Sequence, residues 1–302
     1  MKTLKNKTIL FAVAAILVAG SAFFASCEKD ENPNLGVREL KSSNTENPFD
    51  FIGEKHNEIL HYMGLEMKDT LNYYAQKPVI TDTDRENMFN YILATIPNVI
   101  SNNSILNISG QEIDGVIENY IDFLEEDQLD LLFINNPDFQ IIKTIINEIS
   151  DITDVNQQAT ILKAKQIEIL SSANKFTDTC VVIFLNVYEH SILYWENALR
   201  DSNSPWHNFL QSINNNKQVS SKAIPIIGDL CACFKRGIEK VGDWLHETFR
   251  RHTWENVAVA DAYGAGYGAL SMGILTGWNG VATASGAVIT GAISSLINPF
   301  FM

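Results

Sequence analysis

Apolar residues recur at steps of three and four between residues 47 and 250, the spacing that places them on one face of a helix. The clearest stripe comprises Ile113, Val116, Ile117, Tyr120, Ile121 and Leu124. An earlier one comprises Phe49, Ile52, His56, Ile59, Met63 and Met67. Further helical runs cover roughly 137–149, 155–173 and 176–199, and alternating strand patterns are missing. The pattern predicts an all-α protein, a multi-helix bundle.

Several positions predict where helices begin, end or lie buried. Thr83-x-x-Glu86 and Ser109-x-x-Glu112 have the spacing of capping boxes, in which each side chain satisfies a backbone amide at the start of a helix. Pro97 is expected to end its helix, because proline lacks the amide proton and clashes with the preceding turn. The five apolar residues from Val181 to Leu185 leave no polar face and predict a central helix.

The C-terminal 41 residues, Ala262 to Met302, contain no Asp, Glu, Lys, Arg or His. A turn at Asn279-Gly280 would divide residues 254–302 into a glycine-rich apolar C-terminal helical hairpin, following a helical domain over 47–253. Small residues spaced by four let two helices approach closely, whereas glycine in an exposed helix costs roughly 1 kcal/mol relative to alanine. Four glycines are therefore candidates for helix packing or membrane contact: Gly264, Gly268, Gly273 and Gly277.

A basic amphipathic stretch precedes this hairpin. Its apolar positions are Phe234, Ile238, Val241, Leu245 and Phe249, and its polar face carries Lys235, Arg236, Lys240, Arg250 and Arg251. In composition and pattern, such a helix followed by a glycine-rich apolar hairpin resembles membrane-active peptides such as the glycine-rich class II bacteriocins. The resemblance implies insertion into a membrane. The alternative is a hairpin buried in the bundle, because a bilayer span needs about twenty residues and each segment is marginal.

The N-terminus has the order of a secretory signal peptide over residues 1–26. Lys2, Lys5 and Lys7 precede an uncharged, mostly apolar run from Thr8 to Phe24, which is short and ends at small residues. Phe24-Ala25-Ser26-Cys27 resembles the lipobox of bacterial lipoproteins. That resemblance implies cleavage before Cys27 and acylation of Cys27, which would attach the protein to a lipid bilayer. An ordinary signal peptide with a chance cysteine is the alternative.

Residues 27–46 are polar and lack periodicity, which is typical of a flexible tether. Glu28-Lys29-Asp30-Glu31 resembles the charged export signal of surface-exposed Bacteroidota-type lipoproteins. The resemblance implies an outer-membrane lipid anchor with the domain at the cell surface. A lipoprotein that faces the periplasm is the alternative, because four charges are also typical of a solvated linker.

Charge and cysteine content narrow the range of partners. The chain has a net charge of −14, and loss of three signal-peptide lysines makes the mature protein −17, which argues against nucleic acid as a partner. With Cys27 lipidated, Cys180, Cys231 and Cys233 remain, so one disulfide bond among these three cysteines is possible. Cys231-Ala232-Cys233 lacks the spacing of a zinc or redox motif.

The segment Asn47-Pro48-Phe49-Asp50-Phe51-Ile52-Gly53, followed by His56-Asn57, resembles a segment near the start of many uncharacterised secreted Bacteroidota-type proteins. No activity comes with that resemblance. From the residues alone, Asn47 is expected to cap a helix whose first turn contains Pro48. His56 then lies on the apolar face, where we expect it to be a partly buried histidine with its hydrogen bonds satisfied.

Candidate chemistry is sparse. Glu58-x-x-His61 resembles half of the ligand set of ferritin-like di-iron bundles, but the second Glu-x-x-His is missing and Asp243-x-x-His246 is the nearest substitute. Nucleophile-elbow, phosphate-loop and zinc-protease motifs are also missing, so neither a metal nor a cofactor is expected. The leading hypothesis is a lipoprotein that binds an unknown protein or ligand, without enzyme activity. A membrane-active effector is the second hypothesis and a hydrolase the third.

Overall fold

The computed structural model describes residues 47–125, 140–172, 176–215, 253–276 and 279–301, and these residues form ten helices and no strand. The first five are α1 (Asp50–Glu66), α2 (Lys68–Ala75), α3 (Asp82–Asn102), α4 (Gly110–Glu125) and α5 (Gln140–Ile149). The others are α6 (Val155–Ser172), α7 (Phe176–Arg200), α8 (His207–Asn215), α9 (Thr253–Thr276) and α10 (Gly280–Phe301). The predicted all-α bundle is confirmed.

Helix α7 lies at the centre of the described fold. It packs against α1, α6 and α9, and every residue from Val181 to Leu185 is buried, as the uninterrupted apolar run predicted. Helices α9 and α10 form a hairpin, in which α10 also packs against α1, α3 and α4. The glycine-rich C-terminal hairpin is therefore part of the bundle core.

Two sequence predictions about α3 are wrong. Pro97 does not end this helix, which continues to Asn102. An interior proline costs about 3 kcal/mol, but the residues around it, Ile96, Val99 and Ile100, are buried on one face and offset that cost. The helix begins at Asp82, so the capping residue is Thr81 and not Thr83.

The capping box that starts α3 involves Thr81 and Asp84. The Thr81 hydroxyl accepts a hydrogen bond from the Asp84 backbone N–H at 3.3 Å, and the Asp84 carboxylate accepts one from the Thr81 N–H at 2.9 Å. Lys77 donates to the same carboxylate at 2.7 Å and adds a charged partner. The second predicted box is confirmed, because the Ser109 N–H donates to the Glu112 carboxylate at 2.7 Å and the Glu112 N–H to the Ser109 hydroxyl at 3.3 Å.

Helices α9 and α10 approach each other through glycines. A Cβ atom on Gly268 would lie 2.5 Å from the carbonyl oxygen of Gly286, and one on Gly264 would lie 2.6 Å from that of Thr290. The Thr290 hydroxyl donates to the Gly264 carbonyl across the interface at 2.7 Å. At the turn, the Asn279 side chain accepts from the Val281 N–H at 3.0 Å and starts α10.

One helix of the described chain is long and apolar enough to cross a membrane. Its 18-residue window Gly280–Ile297 has a mean hydropathy of 1.5, and 83% of the window is buried inside the protein. Core helices of soluble bundles share this length and composition, so burial inside the fold accounts for the apolar character of α10.

Candidate functional site

Residues 47–57 begin the described chain and bring polar side chains into its interior. The Asn47 side chain accepts from the Phe49 N–H at 2.9 Å, which forms a turn before α1, and donates to Gln166 of α6 at 2.6 Å. Pro48 lies in that turn and not in the helix, which starts at Asp50. The prediction that Asn47 caps α1 is wrong, because the residue before the helix is Phe49, which makes no side-chain capping hydrogen bond. The contact of Asn47 instead joins the start of α1 to α6.

A partly open polar cluster lies where α1, α6 and α7 meet; it comprises Asp50, Gln166, Asn186, Glu189 and His190. The Asn186 amide donates to the Asp50 carboxylate at 3.0 Å and accepts from the Gly53 N–H at 2.9 Å. His190 Nε2 lies 3.1 Å from the same carboxylate. The side chains of Asp50 and His190 are 34% and 20% exposed, so water reaches this pair.

Glycine at position 53 allows α1 to lie directly against His190. A Cβ atom there would lie 2.5 Å from the imidazole ring, so any side chain would displace either the ring or the helix. No role could be predicted for Gly53, Asn186 or His190 from the sequence, because they become neighbours only through the packing of α1 on α7.

Glu189 occupies the buried side of the polar cluster. Burial raises the pKa of its carboxyl group, and a 2.8 Å hydrogen bond from Gln166 and the charges of His190 and Lys163 oppose that rise. Within the described chain, neither ring nitrogen of His190 contacts a hydroxyl or a thiol. The Asp50 carboxylate and the His190 imidazole are therefore paired with each other, and these hydrogen bonds do not bring a nucleophile to the ring.

A second, fully enclosed group, the core polar cluster, joins α1, α7, α9 and α10; it comprises His56, Ser191, Trp195, Asp261 and Ser295. Asp261 Oδ2 accepts hydrogen bonds from the Ser191 hydroxyl and, at 2.8 Å, from Trp195 Nε1. His56 Nε2 lies 4.0 Å from the same oxygen, and both side chains are inaccessible to solvent.

Burial sets the charge state of this pair. It raises the pKa of Asp261 to about 7, although hydrogen bonds from Ser191 and Trp195 lower it in part. Burial also lowers the pKa of His56 to about 4; a hydrogen bond to Asn57 opposes that shift and the charge of His190 adds to it. From about pH 4 to pH 7, the dominant form is thus a neutral imidazole beside a protonated carboxyl group.

The Asn57 side chain fixes the tautomer of His56. Its amide nitrogen donates to the His190 carbonyl at 3.0 Å, so its oxygen faces His56 Nδ1, also at 3.0 Å. Nδ1 therefore carries the proton and Nε2 faces Asp261. The prediction that His56 lies on the apolar face is confirmed, but its burial is complete rather than partial, and its Nε2 has no hydrogen-bond partner within the described chain.

An open groove separates α1 from α3. It has a volume of about 430 Å³, and its walls include Tyr62, Leu65 and Glu66 of α1 and Tyr91, Asn98 and Asn102 of α3. Leu65 is 49% exposed, and Tyr62 and Tyr91 are 37% and 38% exposed, so solvent reaches the large side chains of both walls. Unlike the core polar cluster, the groove presents side chains to solvent.

The residues singled out by sequence lie in different places. Gly264 and Gly268 lie at the α9–α10 contact and Gly273 is buried in α9, whereas Gly277 is outside the described residues. Glu58 pairs with Lys55 at 2.8 Å and His61 is exposed. Among the described residues, no group of three His, Cys, Asp or Glu side chains could hold a metal ion. Cys180 is buried in α7.

Several other sequence predictions fall outside the described residues. They concern the signal peptide, Cys27 and the tether, the basic stretch from Phe234 to Arg251, Asp243-x-x-His246, and the pair Cys231 and Cys233.

Asp261 was not among the predicted site residues, although the sequence carries one signal for it. It is the last charged residue before 41 uncharged ones, and apart from Glu255 near the start of α9 it is the only charged residue on this apolar helix. A single acid at such a position has to be satisfied by partners from other helices. Which partners it finds depends on the packing of α9 against α1 and α7.

Comparison with known proteins leaves the function to be argued from these contacts. No family model, no curated protein and no solved structure matches the chain.

Proposed function

We propose that this protein is a lipid-anchored binding protein of the outer membrane, whose helical bundle faces outward and recognises a ligand without transforming it. The lipobox-like Phe24-Ala25-Ser26-Cys27 and the charged residues after it support the anchor and the outward orientation. A binding role rests on one observation: the open groove between α1 and α3 is lined by tyrosines and amides, which are recognition groups, while the titratable clusters are paired or enclosed.

Anchoring is tested by metabolic labelling with a radioactive fatty acid in cells that express either the natural protein or Cys27→Ser. We expect label on the natural protein alone and an uncleaved precursor for Cys27→Ser, because the thiol is the site of acylation and processing. Persistence of label in the variant would disprove attachment through Cys27.

A membrane-active effector is the second proposal, and α10 supports it, because this helix has the length and hydropathy of a membrane span. Insertion would require the hairpin to leave a core in which it contacts α1, α3, α4 and α7. Dye-loaded anionic and zwitterionic vesicles distinguish the two proposals. The mature chain carrying Cys27→Ser should leave both kinds of vesicle intact if it is a binding protein, and should release dye if it is an effector.

A further inference from the structure

The walls of the α1–α3 groove come from matched faces of two helices. Tyr91, Asn98 and Asn102 recur on α3 at helical spacing, and Tyr62 and Glu66, four residues apart on α1, stand opposite them. Each wall thus combines an aromatic ring with polar groups that can form hydrogen bonds. This arrangement extends along more than two turns of α3.

Most of the polar groups in the groove are available to a ligand. The Thr95 hydroxyl is occupied, since it donates to the Tyr91 carbonyl at 2.7 Å, and the Asn103 amide donates to the Val99 carbonyl at 2.9 Å. In the part of the chain that the structure describes, the amides of Asn98 and Asn102 and the carboxylate of Glu66 form neither a hydrogen bond nor an ion pair. They therefore face the groove without a competing protein partner.

The α1 wall is held rigidly from behind. Gly64 lies so close to Trp206 that a Cβ atom there would overlap the indole Nε1, and it would lie 2.8 Å from Pro205. Trp206 Nε1 also donates to the Leu60 carbonyl at 3.1 Å. Because the wall is already fixed by these contacts, a ligand loses little affinity to ordering it.

The composition of the groove selects the chemistry of its ligand. A tyrosine ring offers an apolar face, and an asparagine amide offers a donor and an acceptor side by side. A pyranose ring has the complementary surface, with C–H groups on its face and neighbouring hydroxyls at its edge. Glu66 supplies the only charge among the groove residues, and a mature charge of −17 repels anions.

An amphipathic helix of a partner protein fits this groove less well. Helix-in-groove recognition needs an apolar trough for anchors at helical spacing. Here Leu65 is the exposed aliphatic side chain of the lining, and Val99 is only 5% exposed. The volume of about 430 Å³ lies within the range of roughly 300–1,000 Å³ that is usual for small-ligand sites.

We propose that the α1–α3 groove binds an uncharged oligosaccharide, with sugar rings on Tyr62 and Tyr91 and hydroxyls on Asn98, Asn102 and Glu66. This inference rests on the proposed binding function and names its ligand class. A ligand held this way has no ionic contact, so its affinity should change little with salt, whereas binding of an anionic polymer to a basic surface weakens steeply as salt increases.

The test is isothermal titration of the mature chain carrying Cys27→Ser with neutral hexasaccharides of glucose, mannose, xylose and galactose, and with oligogalacturonate as an anionic counterpart. We expect at least one neutral hexasaccharide to bind and oligogalacturonate not to bind. Tyr62→Ala and Tyr91→Ala should each weaken that binding at least tenfold, and Asn98→Ala about three- to tenfold. Tyr91→Phe retains the ring and should retain most of the affinity.

Tyr73→Ala is the matched control, because Tyr73 is 57% exposed on α2 and lies outside the groove; it should leave the affinity unchanged. Melting temperatures of all variants should stay close to that of the parent, which separates loss of binding from loss of the fold. The proposal is overturned if none of the neutral hexasaccharides binds at millimolar concentration, or if binding persists in the Tyr62→Ala, Tyr91→Ala double variant.

The two proposals can fail separately. If oligogalacturonate alone binds and does so through Tyr62 and Tyr91, the ligand class is wrong and the binding function stands. If neither class of saccharide binds and the same chain releases dye from vesicles, the binding function itself is wrong.

Discussion

His56 Nε2 lies 4.0 Å from Asp261 Oδ2, and solvent reaches neither side chain. One residue belongs to the first described helix and the other to the C-terminal hairpin, so their contact fixes the two ends of the described chain in one core. Since burial drives both groups toward their uncharged forms, the two helices meet here without a buried ion pair.

The neutral state of Asp261 predicts how substitutions behave. Asp261→Asn keeps an oxygen that can accept from Ser191 and Trp195, so it should lower the free energy of unfolding at pH 6 by less than about 1 kcal/mol. Asp261→Ala leaves those two donors buried without a partner and should cost about 2–5 kcal/mol. Urea unfolding measures both. Asp114→Ala, at an exposed position on α4, should change stability by less than about 0.5 kcal/mol. Equal large losses for Asn and Ala at position 261 would indicate an ionised carboxylate.

The pair also predicts an unusual dependence of stability on pH. The pKa of Asp261 is raised on folding, from an ordinary 3.8 to about 7, so its contribution is present below pH 3.8 and is lost as pH rises toward 7. The pKa of His56 is lowered on folding, from 6.5 to about 4, so its contribution is present above pH 6.5 and is lost as pH falls toward 4. Between about pH 4 and pH 6.5, Asp261 and His56 together hold one proton in the folded state and one in the unfolded state. Their opposite effects on the pH dependence of stability therefore cancel.

A substitution at one position should reveal how the residue at the other position makes stability depend on pH. Relative to the parent, the stability of Asp261→Asn should rise with pH between about 4 and 6.5. The stability of His56→Gln should instead fall as pH rises from about 4 to 7. Each change should be up to about 1.4 kcal/mol per pH unit. Unfolding free energies measured at half-unit steps of pH would show the two opposite trends. Parallel curves for the parent and both variants would contradict the assigned protonation states.

Gly53 should be intolerant of even the smallest side chain. Because a Cβ atom would meet the His190 ring at 2.5 Å, Gly53→Ala should lower stability by about 1–3 kcal/mol. Gly115→Ala is the control: a Cβ atom there meets nothing within 4 Å, so the better helix former should raise stability by about 0.5–1 kcal/mol. Thermal unfolding of both variants should therefore show shifts of opposite sign, and shifts of the same sign would contradict the packing of α1 on His190.

The sequence was sufficient to predict the helical class, the central position of α7 and the Ser109–Glu112 cap, because these depend on local spacing. Thr81 and Thr83 show why local spacing alone does not always identify the first residue of a helix. Both have an acid three residues later, and Asp84 prevails because Lys77, from the preceding turn, also bonds to it. Pro97 shows the same limit, because the burial that carries α3 past it comes from the contacts of α3 with α1 and α10.

The two polar clusters could not be predicted, because their members come from five helices spread along the sequence. Only Asn47, Asp50, Gly53, His56 and Asn57 were noticed together, through a resemblance that came without a function. The structure gives these residues a common role, since each contacts α6, α7 or another polar member of this segment. The groove is missed for a different reason: exposed tyrosines and asparagines look like ordinary surface until two helices place them face to face.

Surface display depends on the residues after the anchor. Replacing Lys29, Asp30 and Glu31 with alanine should retain lipidation and move the protein to the inner side of the envelope, because these charges are the sorting signal implied by the tether. Protease treatment of intact cells, followed by immunoblotting, measures the accessible fraction. Equal digestion of the parent and the variant would show that the tether is a plain linker.

The glycine-rich hairpin is a structural part of the bundle, and Gly268→Leu is the substitution that probes its packing. A Cβ atom at this position would already lie 2.5 Å from the Gly286 carbonyl oxygen, so leucine should cost about 1–3 kcal/mol by forcing α9 and α10 apart. In the mature chain carrying Cys27→Ser, we expect the melting temperature to fall by roughly 2–12 °C. Gly115→Leu, where a Cβ atom meets nothing within 4 Å, should leave it unchanged or raise it slightly. An unchanged melting temperature for Gly268→Leu, together with altered dye release from vesicles, would contradict the account.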